Sequence, residues 1–76
     1  MPRKANGAAI REIRQLTGVS LRDLASRIGV SAGQLSRAET GVNGMSPAVM
    51  RKVADALGVP LESISYPVPE PETAAS

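Results

Sequence analysis

The chain has 76 residues and a formal net charge of +2, and it contains neither cysteine nor histidine. A chain of this length makes one domain that buries only about 60% of the surface its unfolded form exposes, so the core must be compact and local, with little room for a catalytic cavity. Lacking cysteine, it has no disulfide framework or thiolate metal site; lacking histidine, it has no copy of the commonest metal ligand and general base.

Residues 1–5, with Arg3 and Lys4, precede any helical pattern and are expected to form a flexible arm. From Asn6, "NGAAIREIRQLTG" sets Ile10, Ile13 and Leu16 three apart, with Asn6 as N-cap and Gly18 as stop, which predicts a first helix. A second opens at Ser20 in "SLRDLASRIG", where Asp23 stands three residues on as a variant capping box and Leu21, Leu24, Ala25 and Ile28 share one face. Gly29 ends it. Ser31 and Gln34 repeat the box, so a third helix begins two residues later and runs to Gly41. "SPAVM" starts a fourth, with Ser46 as cap, Pro47 in the first turn and Val49, Met50, Val53 and Leu57 as its buried stripe, up to Gly58. "VPLESISY" supports a short fifth helix through Leu61 and Ile64.

Beyond Tyr66, "PVPEPETAAS" has prolines at alternate positions and no apolar stripe, which predicts an extended, disordered tail over 67–76. No segment alternates as a strand does between hairpin turns. The expected fold is therefore all-α, a compact bundle of five helices over residues 6–66. No apolar run approaches the roughly 18 residues of a membrane span, and "MPRKANGAAI" has no apolar signal core, so a soluble cytoplasmic protein with no membrane partner is expected. The same features argue against an enzyme, and no cofactor, metal or small-molecule ligand is expected.

Charge is distributed unevenly. Residues 1–37 hold seven Arg or Lys against two acids, and residues 38–76 hold two against five. A basic half beside an acidic one suits a polyanion-binding face with the opposite end turned elsewhere. Arginine outnumbers lysine seven to two, which favours bidentate contacts to phosphate or guanine. Within the basic half, "GVSAGQLSRAETG" is helical in its caps, yet only Val30, Leu35 and Ala38 are apolar enough to bury. Its other side is small, polar and singly cationic.

The spacing across the second and third helices accounts for that face. Ala25 is followed by Gly29 after four residues, Leu35 after six more and Ala38 after three more. Ala25 permits close helix approach, Gly29 can take a positive φ at a sharp turn, and Leu35 and Ala38 anchor the third helix. This pattern resembles a helix-turn-helix, and "IREIRQLTGVSLRDLASRIGVSAGQLSRAETG" with "SPAVMRKVADALGVPLESI" is similar to the Cro/C1-type regulators of phages and bacteria. The resemblance covers residues 6–65.

It implies that the helix over 31–40 reads the DNA major groove, a slot about 12 Å wide that a small polar face would fit. Ala32, Gly33, Ser36 and Arg37 then meet base edges, Arg37 foremost because a guanidinium can bond guanine O6 and N7 together. Ser31 and Gln34 cap each other's backbone and, by the same resemblance, meet phosphate with Ser20, Arg22, Thr40 and Asn43, while Arg3 and Lys4 add cationic contacts from the arm. Arg14 and Glu39 match a family ion pair that orients the reading helix. Two departures stand out: Leu21 replaces a phosphate-holding glutamine, and "TGVNGMS" lacks the Lys or Arg of many relatives.

The expected function is a sequence-specific DNA-binding transcriptional regulator, a small repressor or Cro-like protein. It would act as a homodimer, at least on DNA, on a palindromic operator, pairing through Leu61, Ile64, Tyr66 and Val68. One alternative is an antitoxin of a toxin–antitoxin pair whose tail folds on the toxin. Another, from a different class, is a protein-interaction module that kept the fold and lost DNA binding.

Overall fold

Four short polar side chains start the helices of this protein, whose computed structural model describes residues 3–68. Asn6 Oδ1 accepts from the Ala9 amide at 3.1 Å and opens α1 (Gly7–Leu16). Ser20 Oγ accepts from the Asp23 amide at 3.0 Å and opens α2 (Leu21–Ile28). Ser31 and Gln34 form a reciprocal capping box at α3 (Ala32–Glu39). Ser46 Oγ accepts from the Val49 amide at 3.2 Å at α4 (Pro47–Leu57), whose first residue is a proline with no amide hydrogen to lose. Each such cap stabilises by about 1 kcal/mol relative to alanine, because it satisfies an amide the helix itself cannot.

The described residues contain four α-helices, where five were expected. Leu61–Ile64 form a single 3-10 turn instead, and the chain then extends. Strand β1 (Arg3–Ala5) pairs antiparallel with β2 (Ser65–Pro67), Lys4 standing opposite Tyr66. The fold is thus mostly helical with a small strand pair: the all-α expectation holds for the bulk of the fold, and its fifth helix and lack of strands are corrected. So is the flexible arm as far as residues 3–5 are concerned. Arg3 Nε donates to Ser65 Oγ at 2.8 Å and Nη2 to the Ser65 carbonyl at 3.1 Å, while the Asn6 amide donates to the Ile64 carbonyl at 2.8 Å. Pro67 explains why helix does not continue here: it fixes φ and offers no amide, which suits a strand end. Of the tail expected over 67–76, Pro67 ends β2 and residues 69–76 lie outside the described residues.

All the helices and the 3-10 turn contribute to one core. Ile10 comes from α1, Leu24, Ala25 and Ile28 from α2, Leu35 and Ala38 from α3, Met50, Val53, Ala54 and Leu57 from α4, and Ile64 from the turn. Full burial of each larger side chain contributes about 1.5–3 kcal/mol. Helix α2 packs against both α4 and α3, and α1 against α3 and the 3-10 turn. Two expected placements change. Leu16 is 79% exposed, because steps of three residues drift off a helix face and leave the third member about 120° from the first. Ile64 is 0% exposed, so it belongs to the core and cannot form an interface. Among the described residues, no helix is long and apolar enough to cross a membrane.

Candidate nucleic-acid interface

The turn between α2 and α3 is set by Gly29, which has φ of 75°. Its backbone caps α2, and the next amide, of Val30, reaches back to the Ala25 carbonyl at 3.0 Å. A side chain at Gly29 would be strained in this left-handed conformation even though nothing lies within 4 Å of where a Cβ would stand. Ser31 then caps α3 immediately, so the two helices are joined by three residues.

Helix α3 has two distinct faces. Leu35, Ala38 and Glu39 are buried, whereas Gly33, Gln34, Ser36 and Arg37 are exposed. Ala32 is half-buried and packs against the core, so of the four residues expected at base edges it is the one facing partly inward. A Cβ on Gly33 would meet only Ser31 Oγ, at 4.0 Å. Nothing among the described residues requires glycine there, and the open space lies on the outer face of the helix.

Two contacts hold α3 in place from beneath. Arg14 Nε donates to Glu39 Oε2 at 2.8 Å and Nη2 to Oε1 at 3.0 Å, while Nη1 donates to the Val19 carbonyl at 3.1 Å. The Arg14 and Glu39 side chains are 11% and 4% exposed. The hydrogen bond to Glu39 raises the Arg14 pKa above the ordinary arginine value against the opposing effect of burial, with the Glu39 charge adding to the rise. The pair expected from the resemblance is therefore present, and it joins α1 to the end of α3.

The second contact escaped the sequence reading. A Cβ on Gly7 would collide with the carbonyl oxygens of Ala38 and Glu39, so the first turn of α1 lies directly against the last turn of α3. Glycine is required there for close approach. The residue itself is visible in "NGAAI", but a glycine beside an N-cap gives no sign of what it touches.

The candidate phosphate-contacting residues differ in availability. Arg22 is exposed and makes no ion pair among the described residues, whereas Arg27 pairs with Asp23 at 3.0 Å. Gln34 uses Oε1 for the capping box, accepting from the Ser31 amide at 3.2 Å, and its Nε2 makes no hydrogen bond among the described residues. The Ser20 and Ser31 hydroxyls serve as caps. Thr40 Oγ1 donates to the Arg37 carbonyl at 3.1 Å, and Asn43 lies just beyond it in the loop. Arg3 is largely taken up by Ser65, but Lys4 is exposed and shares a cleft with Thr40, Gly41 and Tyr66.

Arg11 was not singled out from the sequence. It is exposed and lines a cleft with Leu21, Ser36 and Thr40, beside the outer face of α3. The available signal was its place one helical turn before Arg14, which puts both on the same side of α1. At the other candidate surface, Tyr66 is 42% exposed and Leu61 and Val68 are half-buried.

Two helices joined by a glycine turn, the second locked from below and polar on its outer side, define a helix-turn-helix protein. Residues 7–64 match the model of the helix-turn-helix domain family, and the chain belongs to that family, in its Cro/C1-type form. It is 38% identical over 61 residues to the HTH-type transcriptional repressor RghR of Bacillus subtilis, an alignment covering 79% of this chain and 45% of that protein. To an uncharacterized HTH-type transcriptional regulator of Mycobacterium tuberculosis it is 42% identical over 60 residues, covering 79% of this chain and 23% of the other. The chain thus spans less than half the length of these curated relatives.

Among solved structures, it resembles the clp gene regulator ClgR of Corynebacterium glutamicum, with a TM-score of 0.72 and 41% identity over 74% of this chain and 60% of that one. It also resembles the restriction-modification controller protein C.AhdI of Aeromonas hydrophila, with a TM-score of 0.72 and 28% identity over 75% of this chain and 86% of that one.

Proposed function

We propose that the protein is a sequence-specific DNA-binding transcriptional regulator that reads the major groove with α3. The observation carrying this reading is the outer face of α3, where Gly33, Ser36 and Arg37 are exposed while Leu35, Ala38 and Glu39 hold the helix rigidly from behind. A narrow helix face with one arginine is what a groove about 12 Å wide admits. Relatives named as a transcriptional repressor and as a gene regulator support the same role. Cytoplasmic placement follows from that role.

In this reading Gly33, Ser36 and Arg37 meet base edges, with Arg37 as the main reader and Ala32 contributing its methyl from the rim. Lys4, Arg22, Gln34 and the hydroxyls of Ser20, Ser31 and Thr40 lie toward the sugar-phosphate backbone, where they position the protein without carrying sequence information. The Gln34 amide is well suited, since its oxygen serves the cap and its nitrogen is left to donate outward. A homodimer on a palindromic operator completes the proposal, because one short recognition helix covers only a few base pairs.

The test is selection of bound duplexes from a random pool, followed by binding of the winner and of a scrambled control. Enrichment of a two-fold-symmetric motif with strong preference over the control is expected. Equal, weak binding to both, with a folded protein, would leave the helix-turn-helix as an interaction module instead.

A further inference from the structure

Arg37 is held at both ends. Its carbonyl oxygen accepts from the Val42 amide at 2.9 Å, the Asn43 amide at 3.3 Å and Thr40 Oγ1 at 3.1 Å, which folds the loop after α3 back onto this one residue. The other end is held by the Asn43 side chain. Its amide oxygen and nitrogen are assigned from the partners they face. Oδ1 then accepts from Arg37 Nε at 3.2 Å and Nδ2 donates to the Val42 carbonyl at 3.3 Å. The reverse assignment would set oxygen against the Val42 carbonyl and nitrogen against the Arg37 donor.

A guanidinium grips guanine with two of its N–H groups. With Nε engaged by Asn43, the edge formed by Nη1 and Nη2 stays free, and no acidic group pairs with it among the described residues. A long side chain normally loses rotamer freedom when it meets a base, which weakens the contact. Arg37 has given up part of that freedom before DNA arrives.

We propose that Asn43 is a positioning residue for Arg37. It holds Nε so that the free edge of the guanidinium is presented from α3 in advance, and its effect falls on sequence discrimination rather than on general attraction to DNA. This rests on the reading of Arg37 as a base reader. It replaces the role first expected of Asn43: a phosphate contact would act on all DNA alike and would change the salt dependence.

The free protein provides the first test. In a ¹⁵N–¹H spectrum the Arg37 Nε–H resonance should stand apart from those of the exposed Arg22 and Arg51, merge with them in Asn43→Ala, and stand apart again in Asn43→Asp, whose carboxylate can still accept. A wild-type Arg37 signal already indistinguishable from Arg22 and Arg51 overturns the inference, whatever DNA binding shows. The second test uses the selected duplex and its scrambled control. Asn43→Ala should lose about 2- to 10-fold in specific affinity, the share of one long side chain's ordering, with nonspecific affinity and the salt slope unchanged. Equal losses on both duplexes with a shallower slope would make Asn43 a phosphate contact. If the Nε bond is present but Arg37→Ala discriminates as well as wild type, Arg37 is no base reader and this role for Asn43 falls with it.

Discussion

The guanidinium of Arg14 grips both carboxylate oxygens of Glu39, at 2.8 and 3.0 Å, and thereby ties the last turn of α1 to the last residue of α3. The raised Arg14 pKa means the stabilisation is complete below the ordinary arginine pKa, and it fades only as pH climbs beyond that value. The arginine therefore keeps its charge throughout the neutral range.

Breaking this pair from one side leaves a buried charge without its partner. Arg14→Ala should cost about 3–5 kcal/mol, more than loss of any exposed arginine. The double variant Arg14→Met with Glu39→Leu should recover much of that loss, since two apolar side chains avoid desolvating charge. Urea denaturation of the two single variants and the double variant checks this, and strictly additive losses would show that the pair contributes no coupling.

Gly7 sits where two effects compete. Glycine to alanine within a helix ordinarily stabilises by about 1 kcal/mol. Here the new methyl would overlap the Ala38 and Glu39 carbonyls, and backbone cannot yield as a flexible side chain does. Overpacking of this kind costs about 1–3 kcal/mol, so the net effect of Gly7→Ala should be destabilising. A midpoint equal to or above wild type in denaturation would mean α1 and α3 can separate without loss.

The four helices were legible because each begins at a polar residue whose side chain acts only over three positions: Asn6, Ser20, Ser31 and Ser46 all accept the bond their spacing predicts. The Arg14–Glu39 pair was legible through the resemblance, not through spacing, as 25 residues separate them. What the sequence concealed is nonlocal or small. A three-residue strand offers too few positions to show alternation, and the partner of β1 lies some sixty residues away. Ala54 joins the core with too little apolar surface to mark a stripe. Ile64 is as apolar as an interface residue should be, and only its packing reveals that the core has already claimed it.

The strand pair makes a prediction opposite to that of a free arm. Removing residues 1–4 deletes most of β1 and the two Arg3 bonds to Ser65. A loss of about 1 kcal/mol would follow from such bonds. That lowers Tm by about 4–8 °C in a domain of this size. An unchanged Tm would mean the pairing adds no stability.

Arg37→Ala should reduce affinity for the selected duplex by about 1–3 kcal/mol while leaving the scrambled control almost unaffected, because a base contact distinguishes sequences and a phosphate contact does not. Fluorescence titrations against both duplexes at one salt concentration measure this. A matched loss on the two would place Arg37 on the DNA backbone.

The proposed dimer is tested at Tyr66, the one aromatic residue of the chain. Its ring is 42% exposed on β2, opposite Lys4 and beside the cleft that also holds Thr40 and Gly41, so it flanks the end of α3 without being spent on the core. An aromatic side chain that leaves water on association is a common interface anchor, and Leu61 and Val68 add half-buried apolar surface on the same terminal segment. Two copies related by a two-fold axis would place their recognition helices about 34–36 Å apart, one turn of DNA. Binding to a palindrome should then be cooperative and binding to a half-site much weaker, with Tyr66→Ala reducing cooperativity more than half-site affinity. Titration of full and half operators by mobility shift, with stoichiometry determined at saturation, separates the two quantities. One protein per palindrome at saturation would rule out the dimer, and equal loss on full and half sites would move Tyr66 from the interface to the fold.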